Sequence, residues 1–181
     1  MNQSWTKDNS PNVGRLTRWF NTISSLVKST ILCVPSLKEQ NKALSKWIKV
    51  MVALLEKKNF NSLLAVFLGV SSNVVSKAKS AWSSKSFLQT EYESISSLCT
   101  PEGTFKKLQN TIKELERPII PYIGIYLQEL TFCEEKHPKK TESGKLNCYR
   151  LQNLSSIVSK VLYYQEIKHP TEKDDPYIMN W

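Results

Sequence analysis

Between Asn59 and Val70 the chain reads NFNSLLAVFLGV, and from Leu63 to Val70 apolar residues fill nearly every position. A helix that is apolar all round has no face to offer water, so it must run through the middle of a fold with other elements around it. The flanking segments supply amphipathic partners. In GRLTRWFNTISSLVKSTIL, Leu16, Trp19, Phe20, Ile23, Val27 and Ile31 fall on one helical stripe. Ser36 followed by Glu39 is a capping box, in which each side chain can satisfy an otherwise unpaired backbone N–H. The helix after it carries Leu37, Leu44, Trp47, Ile48, Met51 and Leu55 and should end near Lys57, with Asn59 and Asn61 as caps for the central helix. Further helices are predicted over 73–82, 86–99 and 101–116, the last opened by Thr100-Pro101-Glu102 as cap, first-turn proline and acid. A final helix runs from about Asn147 to Gln165 with Leu151, Leu154, Ile157, Val158, Val161 and Leu162 inward. No segment alternates with period two. The expected fold is all-α, one orthogonal helical bundle.

Length and composition narrow the function. A chain of 181 residues suits one domain with a sizeable core, and 5 glycines argue against a glycine-rich nucleotide-binding sheet. No apolar run approaches the roughly 18 residues of a membrane span, and MNQSWTKDNSPN lacks the apolar core of a signal peptide. The reading is of a cytoplasmic protein. Cys33, Cys99, Cys133 and Cys148 form no paired motif and His137 and His169 are the only histidines, so reduced, mostly buried thiols are expected and neither metal nor cofactor. The net charge of +9 suits nucleic acid, an anionic membrane or an acidic protein. Lys38, Lys42, Lys46 and Lys49 recur at helical spacing, the mark of a solvated face, and no basic cluster is interleaved with aromatics, which disfavours nucleic acid.

One stretch resists that plain reading. RPIIPYIGIYLQELTFCEEKHP, 117–138, opens with Pro118 and Pro121, whose fixed φ sets the angle at which the chain enters a helix. Gly124 permits close backbone approach, and Ile125, Leu127 and Leu130 can anchor the helix to the body. Its outer side is read as presenting Glu129, Thr131 and Glu135. The polar interval 136–145 then leads into the helix at Asn147, so the two helices form a hairpin. Signatures of covalent chemistry are missing: no phosphate-binding loop, no HExxH and no GxSxG. Glu134 and Glu135 are adjacent on a helix and point apart, so they make no acid–base pair.

Three ordered strings carry a family likeness. NFNSLLAVFLGVSSNVVSKAKSAW (59–82) resembles the central segment of the Ras-family guanine nucleotide exchange (RasGEF) catalytic domain. PIIPYIGIYLQELTFCEE (118–135) looks like the helix that family inserts into its GTPase, and GKLN (144–147) is similar to the element opening the next helix. SWTKDNSPNVGRLTRWFNTISSLVKSTIL matches upstream in order and spacing. The likeness covers nearly all of 1–181, read as one such domain that starts inside the family's pattern, without its initial helix pair. Lys77-Ala78-Lys79-Ser80-Ala81-Trp82 and Arg150-Leu151-Gln152 depart from the family's more basic elements.

The resemblance implies a factor that opens the nucleotide site of a Ras, Rap or Ral-type GTPase by inserting the hairpin, with no covalent step. Binding the nucleotide-free partner more tightly lowers nucleotide affinity by reciprocal linkage. Reversing a 99:1 preference requires a differential of about 5.5 kcal/mol. By the same resemblance Glu135 is the inserted carboxylate, near the partner's phosphate-binding lysine and magnesium site, and Thr131 crowds the magnesium pocket. Glu129 contacts the displaced switch segment, while Leu64, Ser71 and Phe105 belong to the bowl that grips the second switch. Each has a plain alternative: Leu64 as core, the two glutamates as solvated surface, and Phe105 on an inward stripe with Leu108, Ile112 and Leu115. A scaffold on the same fold that binds without exchanging is the rival function. Recruitment to an anionic membrane fits the charge.

Overall fold

A computed structural model describes residues 10–78 and 87–167 of the chain. Its described residues hold eight helices: α1 (Pro11–Leu32), α2 (Leu37–Glu56), α3 (Phe60–Val70), α4 (Asn73–Ala78), α5 (Phe87–Leu98), α6 (Glu102–Glu114), α7 (Ile123–Lys136) and α8 (Cys148–Gln165). The expected all-α architecture is the observed one. Residues 79–82 of the helix expected over 73–82, Ser86, His169 and the Ser-Trp element at 4–5 lie outside the described residues.

The apolar segment takes the position its composition demands. Leu63, Leu64, Ala65, Val66, Phe67 and Val70 of α3 are buried, and only Leu68 reaches the surface. Around them pack Val27 and Ile31 of α1, Leu44, Ile48 and Met51 of α2, Ile95 of α5, and Leu108 and Ile112 of α6. Helix α1 crosses α3 so closely that a Cβ on Gly69 would stand 2.6 Å from Val27 Cβ and 2.9 Å from the Ser24 carbonyl oxygen. Gly69→Ala should therefore cost about 1–3 kcal/mol through forced backbone displacement. A lowered urea midpoint at unchanged m value is the expected reading, and unchanged stability would show that the crossing can relax.

Local signals hold in part. Ser36 Oγ accepts the Glu39 amide (3.3 Å), but the Glu39 carboxylate takes the Ser36 hydroxyl (2.9 Å) and not a backbone N–H. Asn59 caps α3, its side chain accepting from Ser62 N (3.1 Å). Asn61 does not cap: it is buried, and its Oδ1 has no hydrogen-bond partner among the described residues. The expected start of α6 fails more sharply. Gly103, Thr104 and Phe105 all sit near φ +60°, a left-handed turn, and Thr100 Oγ1 donates back to Ser96 O instead of capping forward. Left-handed backbone costs roughly 1–2 kcal/mol per non-glycine residue. In return Phe105 packs into the core and sets its ring edge-on to Tyr122, 5.5 Å between centroids.

Several stripe residues face solvent. Leu16, Trp19 and Leu37 are exposed, as are Leu151, Val158 and Leu162 of α8. α1, α2 and α8 each bury one narrow arc, whereas their apolar residues span a wider one. All four thiols are free, and Cys33 and Cys148 are exposed, against the expectation that most would be buried. Burial pushes the Cys99 thiol up to about 12. Native protein should thus titrate two cysteines quickly with a thiol reagent, all four after unfolding; fast labelling of Cys99→Ser at three sites would contradict this packing.

Candidate functional site

The two helices after α6 stand apart from the body. Between Glu114 and Ile123 the chain is extended, and Ile119 is buried in the main core. Phe60 N donates to Ile120 O (2.9 Å) and Ile120 N to Lys58 O (3.0 Å), so this strap is tied to the start of α3. At the root of α7 the Tyr122 ring packs against Phe20 (5.4 Å) and Phe105, and folds back over Gly124, where any Cβ would collide with its phenol. Here glycine is required by close approach. Ile125 joins the main core as expected, but Leu130 does not. It packs in a second, separate core with Tyr126, Cys133 and Ile157, between α7 and α8. Packing within the hairpin thus makes it a unit of its own.

An arginine closes the far end. Asn147 caps α8, accepting from Arg150 N (3.1 Å), and its amide donates to Pro138 O (3.1 Å). The cap leaves the buried Arg150 guanidinium facing the end of α7. There it donates to His137 O (2.8 Å), to Glu134 O (3.4 Å) and to the Glu134 carboxylate (3.3 Å). One cation satisfies terminal carbonyls of α7 and complements the negative end of its dipole. The connection itself is a tight turn, with Thr141 N to Lys145 O at 2.8 Å and Gly144 at φ +77°. At the opposite end Arg117 donates to Tyr163 O (2.6 Å) and Glu166 (2.8 Å) and lies 3.8 Å from the centre of the Tyr163 ring.

Glu135 is exposed on the last full turn of α7 and makes no ion pair among the described residues. Thr131 lies one turn earlier on the same side, half-buried, its hydroxyl donating to Leu127 O (2.9 Å). Glu134, as expected, points elsewhere, onto Arg150. Glu129 does not share the outer side. Six residues separate it from Glu135, which turns it by about 120° around the helix. It pairs instead with Lys160 of α8 at 2.9 Å. That pair borders a cavity of about 490 Å³ between α6, α7 and α8, with Ile112, Ile125, Tyr126 and Tyr163 in its walls. Burial pushes the Tyr126 phenol well above the ordinary tyrosine range, so it stays neutral.

The other three residues lie on the body. Leu64 has no exposed surface and is core. Ser71 follows the end of α3 and is half-buried; Leu68 (40% exposed) stands three residues before it and Val74 (59%) three after. Phe105 is half-buried beneath Tyr122. Arg150 and Arg117 went unread as braces, although Asn147 three residues before Arg150 was the available signal. Among the described residues no three His, Cys, Asp or Glu side chains gather where they could hold a metal. Among the same residues no helix is long and apolar enough to cross a membrane.

The described residues thus form an all-α body that carries a strapped helical hairpin with its own small core, and Glu135 lies exposed on its outer side. The model of the RasGEF domain matches residues 1–159, and the chain belongs to that family. It is 28% identical over 94% of its length to Ras-specific guanine nucleotide-releasing factor 1 of Rattus norvegicus. It is also 29% identical over 93% of its length to Ras guanine nucleotide exchange factor M, and 26% over 98% to factor C, both of Dictyostelium discoideum. The chain spans 14%, 19% and 12% of these relatives respectively.

Proposed function

We propose that this chain promotes release of GDP from a Ras-type small GTPase, with the α7–α8 hairpin as the part that opens the nucleotide site. The carrying observation is the pair Thr131 and Glu135 on the outer side of a hairpin that is braced at both ends, in a chain of the RasGEF family. Rigidity is what this task needs, because a wedge that bends stores no differential affinity. A carboxylate brought to the phosphate site competes with the phosphates for the GTPase's own cations and repels the leaving nucleotide. Thr131, just beneath, occupies the space a metal ion needs. No bond is made or broken. Ras itself is the first candidate among Ras, Rap and Ral types, since relatives bear names such as "Ras-specific".

The remaining residues take supporting parts. Glu129 acts through Lys160, holding α7 against α8, and so sets where the inserting side points. Leu68 and Val74 flank Ser71 as the surface for the GTPase's second switch, while Leu64 packs beneath them in the core. Phe105 supports Tyr122 at the root.

The test is release of a fluorescent GDP analogue from purified Ras, Rap and Ral-type GTPases with and without the chain. Accelerated release from one of them is the expected result. A folded chain that binds nucleotide-free GTPase yet accelerates nothing would leave the scaffold reading. One that does neither would remove the reading altogether.

A further inference from the structure

The lysine ladder of α2 is laid out for more than solubility. Lys38, Lys42, Lys46 and Lys49 are all exposed, and none makes an ion pair or hydrogen bond among the described residues. At 1.5 Å per residue they line one side of a rigid helix over about 16 Å. The acid in their midst is already engaged: the Glu39 carboxylate accepts the Ser36 hydroxyl at 2.9 Å. Beside the ladder runs an open groove of about 480 Å³, walled by Val34, Ala43, Trp47 and Val50 and bordered by Thr30, Glu39, Lys42 and Lys46. The Trp47 ring is held in that wall by its N–H donating to Thr30 Oγ1 at 2.8 Å. Val50, in that wall, is itself 39% exposed.

We infer that this side of α2 is a docking surface for an anionic phospholipid bilayer. A row of unpaired cations next to an apolar strip with an indole at its edge matches the layering of a membrane interface, where anionic headgroups lie over acyl chains and tryptophan sits at their boundary. Nucleic acid would ask for aromatic faces open to stacking, whereas Trp47 is pinned against α1. The hairpin turn also carries Lys136, Lys139, Lys140 and Lys145, but exposed Glu135 and Glu142 interrupt that run. The surface belongs to the body and not to the hairpin, so its test involves no GTPase.

The experiment is co-sedimentation of the full chain with vesicles of phosphatidylcholine alone or mixed with phosphatidylserine. Binding should require phosphatidylserine and fall as salt rises. Lys42→Glu with Lys46→Glu should weaken it about tenfold or more. Lys139→Glu with Lys140→Glu, the same charge change on the hairpin turn, should leave it within about twofold. Val50→Ser should weaken it severalfold without changing net charge. Circular dichroism will confirm that each variant is folded, which the exposure of these side chains predicts. Equal losses in the two double variants would show attraction by net charge alone and overturn the proposal. So would a DNA duplex that displaces the vesicles at matched charge, or an absence of binding to either vesicle.

Discussion

Glu135→Ala should slow stimulated GDP release about tenfold to a hundredfold, some 1.4–2.7 kcal/mol of lost differential binding, while leaving the fold alone. The two halves of that result come from one observation. Glu135 is exposed and unpaired among the described residues, so its removal deletes no internal contact, and surface changes of this kind stay within about 0.5 kcal/mol of stability. A carboxylate without a partner inside its own molecule remains available to a cation in another. Glu135→Gln separates charge from shape: an acceptor of the same size without the charge should recover little of the rate. Full activity in Glu135→Ala, with a GTPase that the parent chain serves, would move the chemistry away from the end of α7 and leave insertion to shape alone. The neighbouring Glu134→Ala is the control that must differ, since it should cost stability through Arg150.

Arg150→Met should cost about 2–4 kcal/mol, the largest stability loss expected of any single side chain in the hairpin. Methionine fills similar volume but leaves His137 O, Glu134 O and the Glu134 carboxylate without their shared donor. Stranding even part-buried acceptors costs more than the bonds contributed net. Glu134 keeps 29% of its side chain in water, which softens its share and holds the figure to this range. Arg150→Lys should recover less than half, because one ammonium on a flexible stem cannot reach three acceptors that a planar fork spans. Amide exchange is the informative readout: protection should fall in the turn from His137 to Asn147 and in the first turn of α8, with α3 unchanged. Uniform loss across α3 and α8 would mean that the hairpin unfolds only together with the body. GDP release should drop as well, since a loosened tip no longer holds Thr131 and Glu135 in place.

Much of this molecule was legible before any coordinates. The all-round apolarity of Leu63–Val70 placed α3 at the centre because no other arrangement hides seven of its eight residues, all but Leu68. Ser36 and Asn59 marked helix starts because capping is local chemistry, settled within four residues. The bounds of α2 and α8 followed within a residue or two. What escaped reading depends on pairs distant in sequence. Periodicity says that a stripe is apolar, not which part of it meets a neighbour, and so Trp19 and Leu151 read as inward but lie exposed. The left-handed turn at 103–105 is invisible locally, since Thr104 and Phe105 disfavour it and only the packing of Phe105 against Tyr122 makes it tolerable.

The site divides the same way. Glu135 and Thr131 share a side because four residues make about one helical turn, a relation any helical sequence carries with it. The same arithmetic separates Glu129 from them. Its partner could not be read, because which lysine of α8 lies opposite depends on how the two helices are set against each other. Arg150 shows the limit most clearly: nothing beside it in sequence names its acceptors, and the hairpin turn folds it under the end of α7. By itself the sequence determined an all-α fold, its central helix, most helix starts and the family, since these rest on local preferences and on apolar residues having to leave water. Only the tertiary structure decided which carboxylate is paired and which is free, and which arginines brace the wedge, because charges meet partners through space and not along the chain.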